Sequence, residues 1–304
     1  MIRLPYKWRR PEGVKKGIPK LRAVHYKLDC LLENLYIRLA PLPKSGVNKE
    51  KRDIKVTVSL TSFPARIHKT YYGIKSLMLQ TYKADEIIIW LAESQFPGKV
   101  VPKELEKLVE SGLTIRWCED LRSHKKYFYA LQEQQKNQVV ITYDDDIIYE
   151  ADSIEKLINA HKKNPDCIIC NRGHEIVFNE DGSLKPYKDW SIHSPIGVKE
   201  PTLLLVPSTG NGCLYPYGVM PEVTFDWEKA KENAYSADDI WMRFCSLQNG
   251  VKVVKTLETI AILCNVWGSQ KQSLTSVNDL QGENQRVLER LLKLFPDTFK
   301  KEGK

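Results

Sequence analysis

From Lys55 to the acidic cluster Asp144–Asp146, short β-branched and apolar runs alternate with segments whose apolar positions recur at three and four. KVTVSLTS, DEIIIWLA, LTIRWCE and QVVITYD are apolar enough to be buried on both faces, as the strands of a parallel sheet are. Between them TYYGIKSLMLQ, PKELEKLVESG and KKYFYALQEQQKN have helical periodicity, the second stopped by Gly112. Three β-α units in under 100 residues predict an α/β fold with a parallel sheet and helices on its faces. Beyond the acids the pattern predicts a helix over DSIEKLINAHKKN, a strand at CIICN and a hairpin turning at NEDGS. A helix over ADDIWMRFCSLQNG, strands at KVVKT and TIAILCNV, and a closing helix over SVNDLQGENQRVLERLLKLF complete the reading.

Ahead of this body, Leu21, Val24, Leu28, Leu31, Leu35 and Leu39 form one apolar stripe of a helix, and PLPKSGVNKEKRD reads as a linker. The expected organisation is a basic helical extension with its linker over 1–52 and a main domain over 53–265. That domain divides into halves 53–150 and 151–265, and a helical segment follows over 266–304. The net charge of +8 is unevenly distributed. Residues 1–52 hold 14 Lys/Arg against 4 Asp/Glu, or +10, and the remaining 252 hold 32 against 34, or −2. A basic extension on a slightly acidic body argues against nucleic acid as a partner, which would want cations around the folded site. The stripe and the charge suit either a surface helix drawn to anionic lipid, or a helix packed on the body or on a second copy.

No apolar run approaches the ~18 residues of a membrane span, and MIRLPYKWRRPEGVKKG lacks the apolar segment of a secretory signal. Seven Cys, an odd number, suggest reduced thiols. The expected location is cytoplasmic, with peripheral attachment to the inner face of the membrane as an alternative. Cys167 and Cys170 form a C-x-x-C on a strand, where residues three apart point to opposite faces, so no redox pair is expected.

The candidate chemistry lies in QVVITYDDDIIY. Asp144, Asp145 and Asp146 end an apolar strand and are followed at once by Ile147 and Ile148, so they are pinned to the core rather than free in a solvated turn. Adjacent carboxylates there need a positive partner. Ligands of open parallel sheets bind beyond the carboxyl ends of the strands, and two carboxylates at i and i+2 suit a hard cation such as Mg²⁺ or Mn²⁺.

Here the chain resembles glycosyltransferases of the GT-A type, over roughly residues 54–265. GIKSLMLQTYKADEIIIW resembles the bacterial family-2-like pattern, and D-D-D-I resembles the fringe and β-1,3-galactosyltransferase branch. TGNGCLYP is similar to the glycine-bearing substrate loop, and ADDIWMRFCSLQNGVKV to the acidic helix start that follows it. The resemblance implies a GT-A-like (Rossmann-like) sheet and a UDP-sugar donor, with a glycan or lipid-linked glycan as acceptor. It makes Asp146 the main metal ligand and Asp144 a contact to metal or nucleotide, with Asp145 between them toward the sugar. Thr61, Ser62 and Arg66 fall where the base and ribose are held, and Glu93 falls loosely at a base-contacting acid. Asp120, Lys125 and Lys126 precede the helix leading to the acids, where cations meet the diphosphate or are surface lysines. Gly210, Asn211 and Gly212 form the substrate loop. Asp238 and Asp239 match the Glu-Asp pair, with Asp239 as base of an inverting enzyme and Asp238 as helix cap. No His follows His193, so a late metal-binding His is missing, and Asn265, Ser269, Gln270 or water would replace it.

Other enzyme classes fit less well. A haloacid-dehalogenase-like phosphatase would want Thr where Ile148 stands, and a sugar-nucleotide pyrophosphorylase a Gly-rich loop where LTSFPARIH has none. A non-enzymatic membrane-associated scaffold leaves the pinned acids unexplained.

Overall fold

The computed structural model describes residues 19–192, 194–256, 263–270 and 282–299, with side chains from Lys27 onward. Helix α1 (Pro19–Leu39) precedes β1 (Lys55–Thr61), α2 (Ile67–Met78), β2 (Glu86–Ala92), α3 (Lys103–Glu110), β3 (Leu113–Cys118), α4 (Lys125–Gln132) and β4 (Gln138–Tyr143). Then come β5 (Ile147–Ile148), α5 (Ser153–Lys163), β6 (Ile168–Cys170), β7 (Gly173–Glu175), β8 (Leu205–Pro207) and β9 (Asn211–Tyr215). The chain continues through α6 (Trp227–Ala234), α7 (Asp238–Gln248), β10 (Val253–Lys255), β11 (Cys264–Asn265) and α8 (Glu283–Leu294).

Seven strands form one open sheet in the order β10-β6-β9-β4-β1-β2-β3, parallel except for β9. The strands are apolar throughout because both faces are covered. Ile87, Ile89 and Leu91 of β2 join Val56, Val58 and Leu60 of β1 under α2, α3 and α5. The alternate residues Ile88 and Trp90 pack on the opposite side with Tyr127 of α4, Trp241 and Phe244 of α7, and Leu288 of α8. This is the α/β arrangement, a mostly parallel sheet with helices on its faces, that the strand and helix periodicities predict, and it is Rossmann-like as the resemblance implies.

Two parts differ from the sequence reading. The segment TGNGCLYP, read as a loop, supplies β9 at the middle of the sheet, because Cys213 and Tyr215 enter one core while Leu214 enters the other. The NEDGS turn does close an antiparallel bridge, Phe178 to Leu184. Of TIAILCNV only Cys264–Asn265 is strand, and residues 257–262 lie outside the described residues. So does the start of the closing helix before residue 282.

The described leucines of the α1 stripe, Leu28, Leu31, Leu35 and Leu39, do not pack on the body. The inner face of the helix carries Ile37 and Asn34, fully buried, and Ile37 joins a small core with Ile148, Cys264 and Val266. The side chains of Leu21 and Val24 lie outside the described residues.

The topology sets a switch point between β1 and β4. From β1 the chain builds β2 and β3 to one side, then returns to place β4 on the other side of β1. At such a switch point the loops leaving two neighbouring strands diverge, and a ligand cleft opens at their carboxyl ends. Ser62 and Arg66 follow β1 there, and Asp144–Asp146 follow β4.

Candidate active site

The three acids leaving β4 turn in different directions. Asp145 is buried and accepts hydrogen bonds from Ser62 Oγ and from Thr70 Oγ1 (2.8 Å), with Arg66 Nη1 3.4 Å away. It therefore anchors the acid loop to α2 through a buried carboxylate. Asp146 pairs with Arg66 Nη1 and accepts from Gln270 Nε2 at 2.8 Å. Asp144 is half exposed and lies 2.9 Å from Lys126 Nζ. The triplet is tolerated because Arg66 and Lys126 neutralise most of it, offsetting the cost of bringing carboxylates out of water. Burial, then the Asp145 charge, still pushes Asp146 up to about 6 against the pull of Arg66.

Lys126 connects this cluster to the second acid pair. Its buried ammonium is also 3.0 Å from Asp238 Oδ2. Asp238 and Asp239 open α7, but the N-cap position is Ala237 and no side chain caps the helix. The expectation of Asp238 as a cap is thus corrected: its carboxylate is committed to Lys126 and to Thr209.

Thr209 Oγ1 lies 2.7 Å from Asp238 Oδ2 and 2.5 Å from Asp239 Oδ1. A hydroxyl has one proton, so it can donate to only one of the two carboxylates, and the other is satisfied when it carries a proton of its own. Burial alone would raise Asp238, but Lys126, with His124 behind it, overrides this and holds it at about 2. Asp239 is pushed up to about 7 by burial and by the Asp238 charge, which outweigh the pull of Lys126. The pair therefore separates into a permanent anion and a proton holder that is partly exposed.

The glycine-bearing segment seats Asp144. The Gly210 carbonyl accepts from the Asp144 amide (2.9 Å) and from Tyr149 Oη (2.7 Å). A Cβ on Gly210 would fall 1.9 Å from Asp144 Oδ2, so only glycine leaves room for the carboxylate. Gly212, at φ +90°, takes the left-handed region as β9 begins, and the side-chain oxygen of Asn211 is buried without a hydrogen-bond partner.

The remaining expected residues stand apart from this cluster. Thr61 Oγ1 donates to the Trp90 carbonyl (2.7 Å), tying β1 to β2. Glu93 is exposed and lies 2.9 Å from Lys99. Asp120 accepts from Lys125 (2.6 Å) and Gln95 (2.7 Å), so Lys125 is buried in a separate pair and only Lys126 of the two lysines reaches the acids.

Sequence reasoning missed Thr209, which directly precedes the recognised glycine, and His124, which directly precedes the recognised lysines. His124 is buried between Tyr127 Oη (2.9 Å) and the Ala234 carbonyl (3.0 Å), and burial lowers its pKa. Of the three named replacements for a late His, Gln270 meets the Asp146 carboxylate, and Ser269 Oγ is 3.5 Å from the Asp146 carbonyl. The Asn265 carbonyl instead accepts from Asn34 (3.0 Å).

Among the described residues no three His, Cys, Asp or Glu side chains are grouped to hold a metal ion. Asp144 and Asp146 offer hard oxygen donors, which suits Mg²⁺ or Mn²⁺ when a substrate diphosphate and water complete the shell. Arg66 sits on Asp146 and would have to share or release it.

No family model matches the chain, and no curated protein sequence matches it significantly. Similar solved structures include the mannosyltransferase PcManGT from Pyrobaculum calidifontis, in complex with GDP-Man and Mn²⁺. It is 12% identical, with a TM-score of 0.41, over 78% of this chain and 66% of that one, just under two thirds of its length. Another is 4-diphosphocytidyl-2C-methyl-D-erythritol synthase from Anaerococcus prevotii, 13% identical with a TM-score of 0.43 over 80% of this chain and 96% of that one.

Proposed function

We propose that the chain is a metal-assisted, inverting glycosyltransferase with a UDP-sugar donor and a glycan hydroxyl as acceptor, acting in surface polysaccharide synthesis. One observation carries the reading. The strand-end acid Asp144, two residues from Asp146, meets a second acid pair at the sheet's switch point through one buried cation, and that pair contains a carboxyl, Asp239, raised to about 7. A carboxylate in that range accepts a proton at neutral pH far better than an ordinary aspartate. The GT-A resemblance of D-D-D-I, TGNGCLYP and ADDIW supports the same assignment.

Asp144 and Asp146 would hold Mn²⁺ or Mg²⁺, which when bound supplies charge neutralisation at the departing diphosphate. Arg66 and Lys126 are the chain's own cations beside that position. Asp239 takes the proton of the acceptor hydroxyl as its oxygen attacks the anomeric carbon. The bond from that carbon to the diphosphate breaks, UDP leaves, and the configuration inverts. Thr209 orients Asp239, and the Asp238 charge together with burial keeps its pKa high.

The test is nucleotide release over a panel of UDP-, GDP- and CMP-sugars with a set of glycan and lipid-linked acceptors, together with melting curves in UDP and Mn²⁺. The expected result is UDP release and a melting temperature raised by UDP and Mn²⁺ together. Absence of release from every donor, with no UDP-and-Mn²⁺ shift, overturns the reading. Retained configuration in the product overturns the role of Asp239.

A further inference from the structure

The outer face of α1 is apolar and uncovered. Leu28, Leu31, Leu32, Leu35 and Leu39 are 50%, 42%, 50%, 41% and 77% exposed, and no described residue packs over them. The helix is nonetheless firmly seated. On its inner face Asn34 Nδ2 donates to the Asn265 carbonyl (3.0 Å), and the Trp267 amide donates to Asn34 Oδ1 (3.0 Å). Arg38 lies with its guanidinium over the rings of Tyr72 and Trp267, at 4.4 and 4.7 Å, and Trp267 is itself 41% exposed. A fixed helix holding five leucines toward water is a binding face, since contiguous exposed apolar patches mark interaction sites.

Charge decides what covers it. Residues 1–52 carry +10 while the rest of the chain carries −2. The excess lies mainly just ahead of the leucines, where residues 1–26 hold 8 Lys/Arg against 1 Asp/Glu; a second copy docked on the leucines would add a second segment of +7, and like charges at close range repel. An anionic surface that is apolar just beneath its charge satisfies both features at once. We infer that the leucine face of α1 seats in the interfacial layer of an anionic membrane, with the basic residues of the extension on the lipid headgroups. Neither term suffices alone: one amphipathic face or one cluster of cations gives marginal, reversible attachment, and the two together give stable binding.

The docking places the acid site close to the membrane. Asn34 of α1 is bonded to the 265–267 segment, whose Val266 amide donates to the Asp146 carbonyl at 2.8 Å. The inference itself stands on the leucines and the charge and is independent of the transferase reading.

The experiment is co-sedimentation of the full chain with phosphatidylglycerol/phosphatidylcholine vesicles and with pure phosphatidylcholine vesicles. Leu31→Glu/Leu35→Glu is compared with the parent, and sedimentation velocity is run on both. The parent should bind the anionic vesicles, and binding should weaken as salt rises. Because each leucine loses its apolar burial, the double variant should bind at least about tenfold more weakly per residue changed. Its melting temperature should hold, as both positions are exposed; Leu39→Glu, at the helix end, repeats the test should the pair fail to fold. Absence of parent binding, or unchanged binding by folded variants, overturns the inference. So does a dimer that the variants dissociate while vesicle binding is absent, which would assign the face to a second copy.

Discussion

Lys126 is the residue whose loss the structure makes easiest to quantify. It lies 2.9 Å from Asp144 and 3.0 Å from Asp238, with its ammonium buried. Replacing it by Met keeps much of the side-chain length and removes the charge, which leaves Asp238 buried without its cation. Breaking a buried pair in this way costs about 3–5 kcal/mol. The pH dependence carries the sharper test. Asp238 is held at about 2, below its ordinary 3.8, so its favourable contribution is fully present above about 4 and is lost as pH falls through 2. That shift is worth about 2 kcal/mol. Without Lys126, burial, the largest influence on Asp238, is opposed only by His124 and the hydroxyls of Thr209 and Ser123, and its pKa should rise instead of being lowered. The carboxylate then becomes a penalty at neutral pH and is relieved by protonation at low pH. The gap between parent and Lys126→Met should therefore be widest near pH 7 and close as pH falls toward 3. Urea unfolding followed by tryptophan fluorescence across that range measures it. A loss below about 1 kcal/mol at pH 7, or a loss that does not change with pH, refutes the network.

Asp239→Asn should lower turnover by about 10²–10⁴-fold while UDP and metal binding hold, and it should abolish the limb of the pH–rate profile near 7. The folded pKa of Asp239 lies above its ordinary 3.8, so its contribution to stability is full below about 4 and lost as pH rises through 7. The Asn variant should accordingly melt higher than the parent above pH 7, and a lower melting temperature there contradicts the assignment. Gly210→Ala sets a Cβ 1.9 Å from Asp144 Oδ2 and should cost about 1–3 kcal/mol with loss of donor binding; calorimetric titration with UDP and Mn²⁺ checks it. Asp146→Ala, or chelation of divalent ions by EDTA, should abolish transfer and metal-dependent UDP binding, and full activity in either condition removes the metal from the proposal.

The legible part of the site was the part encoded by neighbours in sequence. D-D-D-I announces itself because three acids interrupt a run of β-formers, and Asp238–Asp239 because two acids open a periodic helix. Lys126 stood beside Lys125 with nothing local to distinguish them. Only packing sends Lys125 to Asp120 and Lys126 to Asp144 and Asp238. Thr209 was invisible as a functional residue, because its hydroxyl acquires meaning from α7, some 30 positions on.

Alternation of apolar residues by two and by three to four, read along the chain alone, determined the parallel strands β1 to β4, the helices between them and the strand end at which the three acids lie; β9, at the middle of the sheet, needed the tertiary structure. The same periodicity marked the leucine stripe of the extension, and the charge count its basic character. The direction in which each carboxylate points belongs to the tertiary structure. Hydrogen-bond partners of buried acids come from elements far apart in sequence: Ser62 and Thr70 for Asp145, Arg66 and Gln270 for Asp146. The pKa values divide for the same reason, since burial and a neighbouring charge depend on distances in space. Periodicity marks a helix face as apolar; whether that face meets the core or water depends on which side the rest of the chain covers, and in α1 Ile37 and Asn34 are turned inward while the leucines remain outside.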